Sequence, residues 1–276
     1  MIEIGNFHKL KIIKQREFGV YLDGEDLGEI LLPRKQIPEN TDIGDKVEVF
    51  IYRDSKDRLI ATTRKPYARV GEFAMLKVVA VESVGAFLNW GLPKDLLVPF
   101  REQKQKMEKD KSYIVRIFLD HKSNRIVASS KLDKFLGRQP IDYEIGQQVE
   151  LLICKHTDIG YKAIINNAHW GVLYENEVFQ KLYKGQKVTG YIKKVRDDEK
   201  IDLYLQKPGY DKVDNVSEKI FNTLKKQGGF IPVTDKSSPK VIYDMFGASK
   251  KTFKKAVGAL YKRRLIIIEK NGIKLN

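Results

Sequence analysis

The 276 residues predict a mainly β chain with a C-terminal α+β module: three tandem five-stranded barrels, then three helices and a hairpin. Three observations carry that reading. The stretch Arg16-Glu17-Phe18-Gly19-Val20-Tyr21-Leu22 returns, altered, as Val84-Gly85-Ala86-Phe87-Leu88 and as Ile159-Gly160-Tyr161-Lys162-Ala163. Gly5, Gly71 and Gly146 recur at spacings of 66 and 75 residues, longer than a solenoid repeat and long enough for a small domain with its own core. Beyond residue 210 the two-residue alternation of strands gives way to helical spacing.

In the first unit, Leu10-Lys11-Ile12-Ile13-Lys14 leads into the recurring stretch, and Gly24 turns the chain toward Gly28-Glu29-Ile30-Leu31-Leu32-Pro33. Proline cannot donate to a ladder, so pairing ends there. In the strand that follows, Val47, Val49 and Ile51 share one face while Glu48, Phe50 and Tyr52 share the other. We read Phe50, Tyr52 and the later Phe118 as packing residues, on a face that meets a neighbouring barrel. A polar turn from Asp54 to Arg58 precedes the last strand, Leu59-Ile60-Ala61-Thr62-Thr63. Five short strands in about sixty residues read as an OB-type barrel. The second unit repeats the order, with the turn from Asp120 to Arg125 matching the earlier one, and residues 131–142 form a short helix or linker. The third closes with Ile201-Asp202-Leu203-Tyr204-Leu205-Gln206 and ends at Lys207-Pro208-Gly209-Tyr210. The expected domains are 1–66, 67–140, 141–210 and 211–276.

A helix from Val216, with Ile220, Phe221 and Leu224 inward, stops at Gly228-Gly229. Ser238 caps a second helix with Pro239 at its first position and Gly247 at its end, and Val241, Ile242, Met245 and Phe246 are expected inward. Ser249 caps a third, with Phe253, Ala256, Val257 and Leu260 as its apolar stripe. Asn271-Gly272 between Leu265-Ile266-Ile267-Ile268 and Ile273-Lys274-Leu275 signals a two-residue hairpin. Three helices and a hairpin make a winged helix.

Lys and Arg number 51 against 36 Asp and Glu, a net charge of +15 that favours polyanionic partners. From Val213 onward the balance is 14 against 5, so the last module is the most basic. The lone Cys154 excludes an intrachain disulfide, and Met1-Ile2-Glu3-Ile4 lacks the basic and apolar regions of a signal peptide; a cytoplasmic location is expected, without membrane insertion. Neither a phosphate loop nor a dinucleotide glycine fingerprint occurs, and His8, His121, His156 and His169 lack ligand spacing. No catalytic residue, metal or cofactor is expected.

Phe18-Gly19-Val20-Tyr21, Gly44-Asp45-Lys46-Val47 and the Asp54 to Arg58 turn make the units resemble the S-one domain, the RNA-binding OB fold named after the ribosomal protein that repeats it. With Leu97-Val98-Pro99, Gly185-Gln186-Lys187-Val188-Thr189-Gly190-Tyr191-Ile192 and the winged helix, the arrangement resembles the bacterial conserved virulence factor B family of RNA-binding proteins, over nearly the whole chain. The resemblance implies RNA binding coupled to regulation of gene expression after transcription, without intrinsic catalysis. S-one domains present two aromatics on one strand and a histidine on the next. Here the aromatic places carry Phe18 and Tyr21, then Val84 and Phe87, then Ile159 and Tyr161, and the histidine places carry Leu31, Val98 and Tyr174.

Aromatic side chains on such a face stack on bases, and neighbouring cations hold phosphates. The candidates for RNA are therefore Phe18, Tyr21 and Phe87; Tyr161, Lys162, Tyr174, Tyr191, Lys193, Lys194 and Arg196 in the third barrel; and Lys250, Lys251, Lys254, Lys255, Lys270 and Lys274 in the winged helix. The third barrel and the winged helix carry the main expectation, with single-stranded RNA as the partner. Packing at domain junctions and solvated charged faces are the plain alternatives for these residues. DNA is the alternative nucleic acid, through a third helix entering a major groove, although few Asn, Gln or Arg side chains near its start could read base edges. A scaffold recruiting a nuclease or ribosomal component is a third reading.

Overall fold

A computed structural model describes residues 2–178, 180–205 and 213–276. The terminating stretch Lys207-Pro208-Gly209-Tyr210 lies outside the described residues. Two compact units divide the chain at Gln139 and Pro140. The first holds two closed barrels: β1 (Phe7–Arg16), β2 (Gly19–Asp23), β3 (Glu29–Pro33), β4 (Lys46–Arg53) and β5 (Leu59–Thr62), then β6 (Phe73–Glu82), β7 (Gly85–Asn89), β8 (Leu96–Pro99), β9 (Ser112–Asp120) and β10 (Arg125–Ser129). The second holds a third barrel, β11 (Gln148–Thr157), β12 (Gly160–Ile165), β13 (His169–Tyr174), β14 (Lys187–Val195) and β15 (Ile201–Tyr204), and a winged helix.

All three barrels share one topology. The first three strands run as an antiparallel meander, the third pairs parallel with the fifth, and the fourth closes the ring between fifth and first. The glycine period has a structural basis. Gly5, Gly71 and Gly146 adopt positive φ of 89°, 94° and 84°, and their N–H groups donate to the carbonyls of Ile51, Ile117 and Ile192 on the fourth strands at 2.7, 2.9 and 2.7 Å. Each first strand also carries an irregularity at one place, between Ile12 and Lys14, Val78 and Ala80, and Ile153 and Lys155. Such a bulge sharpens the bend that closure of a small barrel needs.

Alternation along β4 buries Val47, Val49 and Ile51 in the first barrel's core. Its other face does not reach water. Phe50 and Tyr52 join the core of the second barrel, where the Phe50 ring lies 5.8 Å from Trp90 and 5.3 Å from Phe7, both edge to face. Around this apolar contact, Lys94 donates to the Asp54 carbonyl at 2.7 Å and pairs with Asp57 at 3.3 Å, Arg125 pairs with Asp57, and Arg53 donates to the Asn124 carbonyl at 3.1 Å. Burial works against the Asp57 carboxylate, but hydrogen bonds from Arg125 and Lys94 outweigh it and hold its pKa below the usual range. The polar turn from Asp54 to Arg58 is thus the latch between barrels. Phe118 is also a packing residue, but against the segment that follows its own barrel and not a neighbouring barrel: its ring lies 5.2 Å from Phe135.

The winged helix comprises α1 (Val213–Lys226), β16 (Phe230–Ile231), α2 (Pro239–Phe246), α3 (Lys250–Lys262), β17 (Ile266–Ile268) and β18 (Ile273–Leu275). Ser238 and Ser249 cap α2 and α3 by accepting from the N–H groups of Val241 and Thr252, and Gly247 ends α2 at φ 66°. Phe253, Ala256, Val257 and Leu260 are buried, as their spacing requires. Two expectations need correction. Val241 and Met245 of α2 point outward, 43% and 36% exposed, because Ile242 and Phe246 alone fill the contact of a two-turn helix. The Glu269 N–H donates to the Gly272 carbonyl at 2.9 Å, so Lys270 and Asn271, not Asn271 and Gly272, form the hairpin tip. Gly272 instead packs under β16, where a Cβ would lie 2.4 Å from both the Ile231 carbonyl oxygen and the Phe230 ring. That strand, pairing with β18, was not apparent in the sequence.

Truncating Phe50 removes a first-barrel ring buried in the second barrel's core, and a buried Phe→Ala change costs about 3–5 kcal/mol. Phe50→Ala is expected to lose that much in urea unfolding; a loss below about 1 kcal/mol would show that the barrel junction is not a packed core.

Candidate nucleic-acid interface

Strand register places the candidate residues more sharply than the motif did. Gly19, Gly85 and Gly160 pair with Pro33, Pro99 and Tyr174. Two residues on, Tyr21, Phe87 and Lys162 occupy one place and pair with Leu31, Leu97 and Val172, which pair in turn with Ile60, Val127 and Asp202. Two sequence assignments are therefore wrong. Tyr161 is not the second aromatic of the third barrel: it sits beside Gly160, packs on the core and against the His156 ring at 4.7 Å, and leaves the outward place to Lys162. The histidine place carries Leu31, Leu97 and Val172, not Val98, which is buried, or Tyr174, which matches Pro33 and Pro99. A one-residue offset reverses which face a strand residue serves.

In the first barrel Phe18 stands at the β1–β2 turn, 58% exposed, with its ring 6.1 Å from Tyr21 and nearly perpendicular to it. Lys14, paired with Glu29 at 2.9 Å, lies 5.0 Å from the Tyr21 ring centre. Beside Phe18 opens a cleft of about 540 Å³, lined also by Glu17, Pro33, Arg34, Lys35, Gln36, Thr63 and Arg64, so three cations share it with one carboxylate. Gln36 ties its walls together, accepting from the Thr63 N–H at 3.2 Å and from the Thr62 hydroxyl. Arg34, Lys35 and Arg64 are exposed, and among the described residues no carboxylate pairs with them. Sequence reading passed over these three, although all lie within two residues of the ends of β3 and β5.

Phe87 of the second barrel lies at the junction with the first. It lines a hollow of about 240 Å³ with Tyr52, Arg53, Trp90, Lys94, Asp95 and Arg125, so the first barrel supplies part of the wall.

In the third barrel much of the positive charge is spent internally. Arg196 grips the buried Asp202 carboxylate with two nitrogens, at 3.0 and 3.1 Å, and donates to the Tyr174 hydroxyl, which itself donates to Asp202 at 3.2 Å. Lys193 pairs with Glu177 at 2.5 Å and lies 5.0 and 5.5 Å from the Tyr204 and Tyr174 ring centres. Its burial opposes the charge, but Glu177 outweighs that and raises the lysine pKa. Tyr191 is half-buried opposite Tyr204. Lys194 is exposed, and Lys162 sits 3.8 Å from the centre of Trp170, an aromatic that sequence reading did not single out. Burial pushes the Cys154 thiol up to about 12, which removes it as a nucleophile.

On the winged helix, Lys250 donates to the Ser237 carbonyl at 3.0 Å and Lys254 approaches Asp235 at 3.6 Å, whereas Lys251 and Lys255 are exposed without a carboxylate partner among the described residues. Lys270 marks the hairpin tip and Lys274 projects from β18.

Because Arg196 is the main partner of Asp202, its removal strands a buried carboxylate, which costs about 1–3 kcal/mol. Arg196→Ala is expected to destabilise the third barrel by that amount in urea; unchanged stability would show that the fork is not structural.

Residues 4–64 match the family model of the S1 domain and residues 218–275 that of the CvfB-like winged helix domain. The chain is 32% identical to the YitL protein of Bacillus subtilis, covering 95% of this chain and 90% of that one. It is 24% identical to conserved virulence factor B of Staphylococcus aureus strain USA300, over 99% of this chain and 94% of the relative. A crystal structure of a multidomain protein with nucleic acid binding domains from Streptococcus pneumoniae aligns over 99% of this chain and 98% of that one, at 24% identity and a TM-score of 0.43. With a relative this similar along nearly its full length, and an S1 barrel and winged helix at its two ends, the chain belongs to the conserved virulence factor B family.

Proposed function

We propose that this protein is a non-enzymatic RNA-binding regulator that acts in the bacterial cytoplasm after transcription, holding single-stranded RNA through barrel aromatics and through lysines of the winged helix. The observation that carries the proposal is an exposed ring beside a cluster of cations: Phe18 borders a cleft lined by Arg34, Lys35 and Arg64, none of which pairs with a carboxylate among the described residues. A base stacks on an aromatic face with little regard to sequence, while guanidinium and ammonium groups hold the phosphates on either side. In the third barrel Lys162 lies over the half-buried Trp170 ring, which brings a cation and an aromatic together there, and Lys251 and Lys255 add phosphate ligands on α3. Lys193 and Arg196 serve the third barrel's own framework first, so the first barrel joins the third barrel and the winged helix as a contact surface. The relatives named for virulence fit a regulator of gene expression.

Phe18→Ala is expected to weaken binding of the full chain to single-stranded RNA by about 1–3 kcal/mol without changing its melting temperature. Arg34→Ala and Arg64→Ala are each expected to lower the log-log salt slope by about 0.7. Wild-type affinity in all three variants would remove the first barrel from the interface. A tenfold preference for one DNA duplex over single-stranded RNA would favour a transcription regulator instead.

A further inference from the structure

Helix α3 presents a face whose centre carries no side chain. Lys251, Lys254, Lys255, Gly258 and Lys262 follow one another at i, i+3, i+4, i+7 and i+11, the spacing of a single helical face. Phe253, Ala256, Val257 and Leu260 lie on the opposite side, buried in the winged-helix core. Gly258 therefore sits among the lysines, away from the core. Neither packing nor backbone geometry calls for glycine there. A Cβ built on Gly258 meets no atom within 4 Å, and the residue is absent from those with positive φ. Glycine in a helix interior is a net cost in stability, since it gives up backbone freedom and packs nothing. What it supplies is a flat place where another chain can approach the helix backbone closely. One turn further along, Tyr261 is 56% exposed beside it.

We propose that a single strand of nucleic acid crosses α3 at Gly258, its phosphodiester backbone held between the ammonium groups of Lys255 and Lys262 and an unstacked base resting on Tyr261. This rests on the reading of α3 as a nucleic-acid contact and deepens it. Charge complementarity selects the occupant: four lysines surround the flat site, and among the described residues only Lys254 of the four pairs with a carboxylate, Asp235 at 3.6 Å. The ring selects a single strand, because bases in a duplex are stacked on one another and their faces are not available to an aromatic side chain. Phosphate contacts and stacking on a ring carry little sequence information, so the contact is largely indifferent to sequence.

The test uses the full chain, a fluorescent 20-residue oligouridylate and a DNA duplex of arbitrary sequence. Alanine and leucine are better helix formers than glycine, so Gly258→Ala and Gly258→Leu should melt at or above the wild-type temperature. Binding should move the other way: about threefold weaker for Gly258→Ala and at least tenfold for Gly258→Leu. Tyr261→Ala should weaken the oligouridylate about fivefold or more and leave duplex binding within twofold. Oligouridylate affinity within twofold of wild type for Gly258→Leu would overturn the proposal, as would tighter binding of the duplex with a neutral Tyr261→Ala. A Lys251→Ala, Lys255→Ala double variant separates the two levels. Weakened binding there with a neutral Gly258→Leu sinks only the close approach at Gly258, whereas unchanged binding in both sinks α3 as a contact.

Discussion

The close crossing of the second strand over the third is the constraint on which each barrel depends. A Cβ at Gly19, Gly85 or Gly160 would lie 2.3, 2.3 or 2.1 Å from the carbonyl oxygen of Leu32, Val98 or Leu173. No side chain tolerates that approach, so glycine is required three times over. The same crossing lifts the preceding residue out of the barrel: Phe18, Val84 and Ile159 are 58%, 55% and 58% exposed. One steric fact thus curls the sheet and presents a rim position. The rim position is structurally constant while its chemistry is free to change from aromatic to aliphatic.

That freedom explains how three copies of one barrel divide their work. The first keeps an aromatic at the rim next to three cations that pair with no carboxylate among the described residues. The second faces the first, which buries Phe50 and Tyr52 into its core and contributes part of the wall around Phe87. The third turns a basic strand inward on itself, with Arg196 and Lys193 engaged by Asp202 and Glu177. Positive charge counted along a chain overstates what is available to a polyanion, because the partners that cancel it lie on other strands.

Much of the architecture was legible in the sequence because it rests on local chemistry. Alternation marks strands, Ser238-Pro239 and Ser249 mark helix starts, and the recurrence of Gly5, Gly71 and Gly146 marks a turn whose N–H reaches the fourth strand in every barrel. Where the reading slipped, a longer-range relation decided. Tyr161 and Lys162 exchange roles because strand register, set by pairing with β13, is not contained in the strand itself. Val241 and Met245 face outward because α2 meets the core along a narrow line. Gly272 answers to β16, more than forty residues upstream, and not to its own turn.

The sequence by itself determined the number of barrels, the winged helix that follows them and the excess of positive charge, since periodicity, caps and composition are properties of neighbouring residues. Only the tertiary structure decided which aromatics and cations are free to act. Phe50 and Phe18 are both rings of the first barrel, yet one is enclosed by a second barrel and the other is open to solvent. Arg196 and Arg64 are both arginines near a strand end, yet one closes on a buried carboxylate and the other borders a cleft. Burial and pairing depend on what distant strands bring alongside, and no local pattern encodes that.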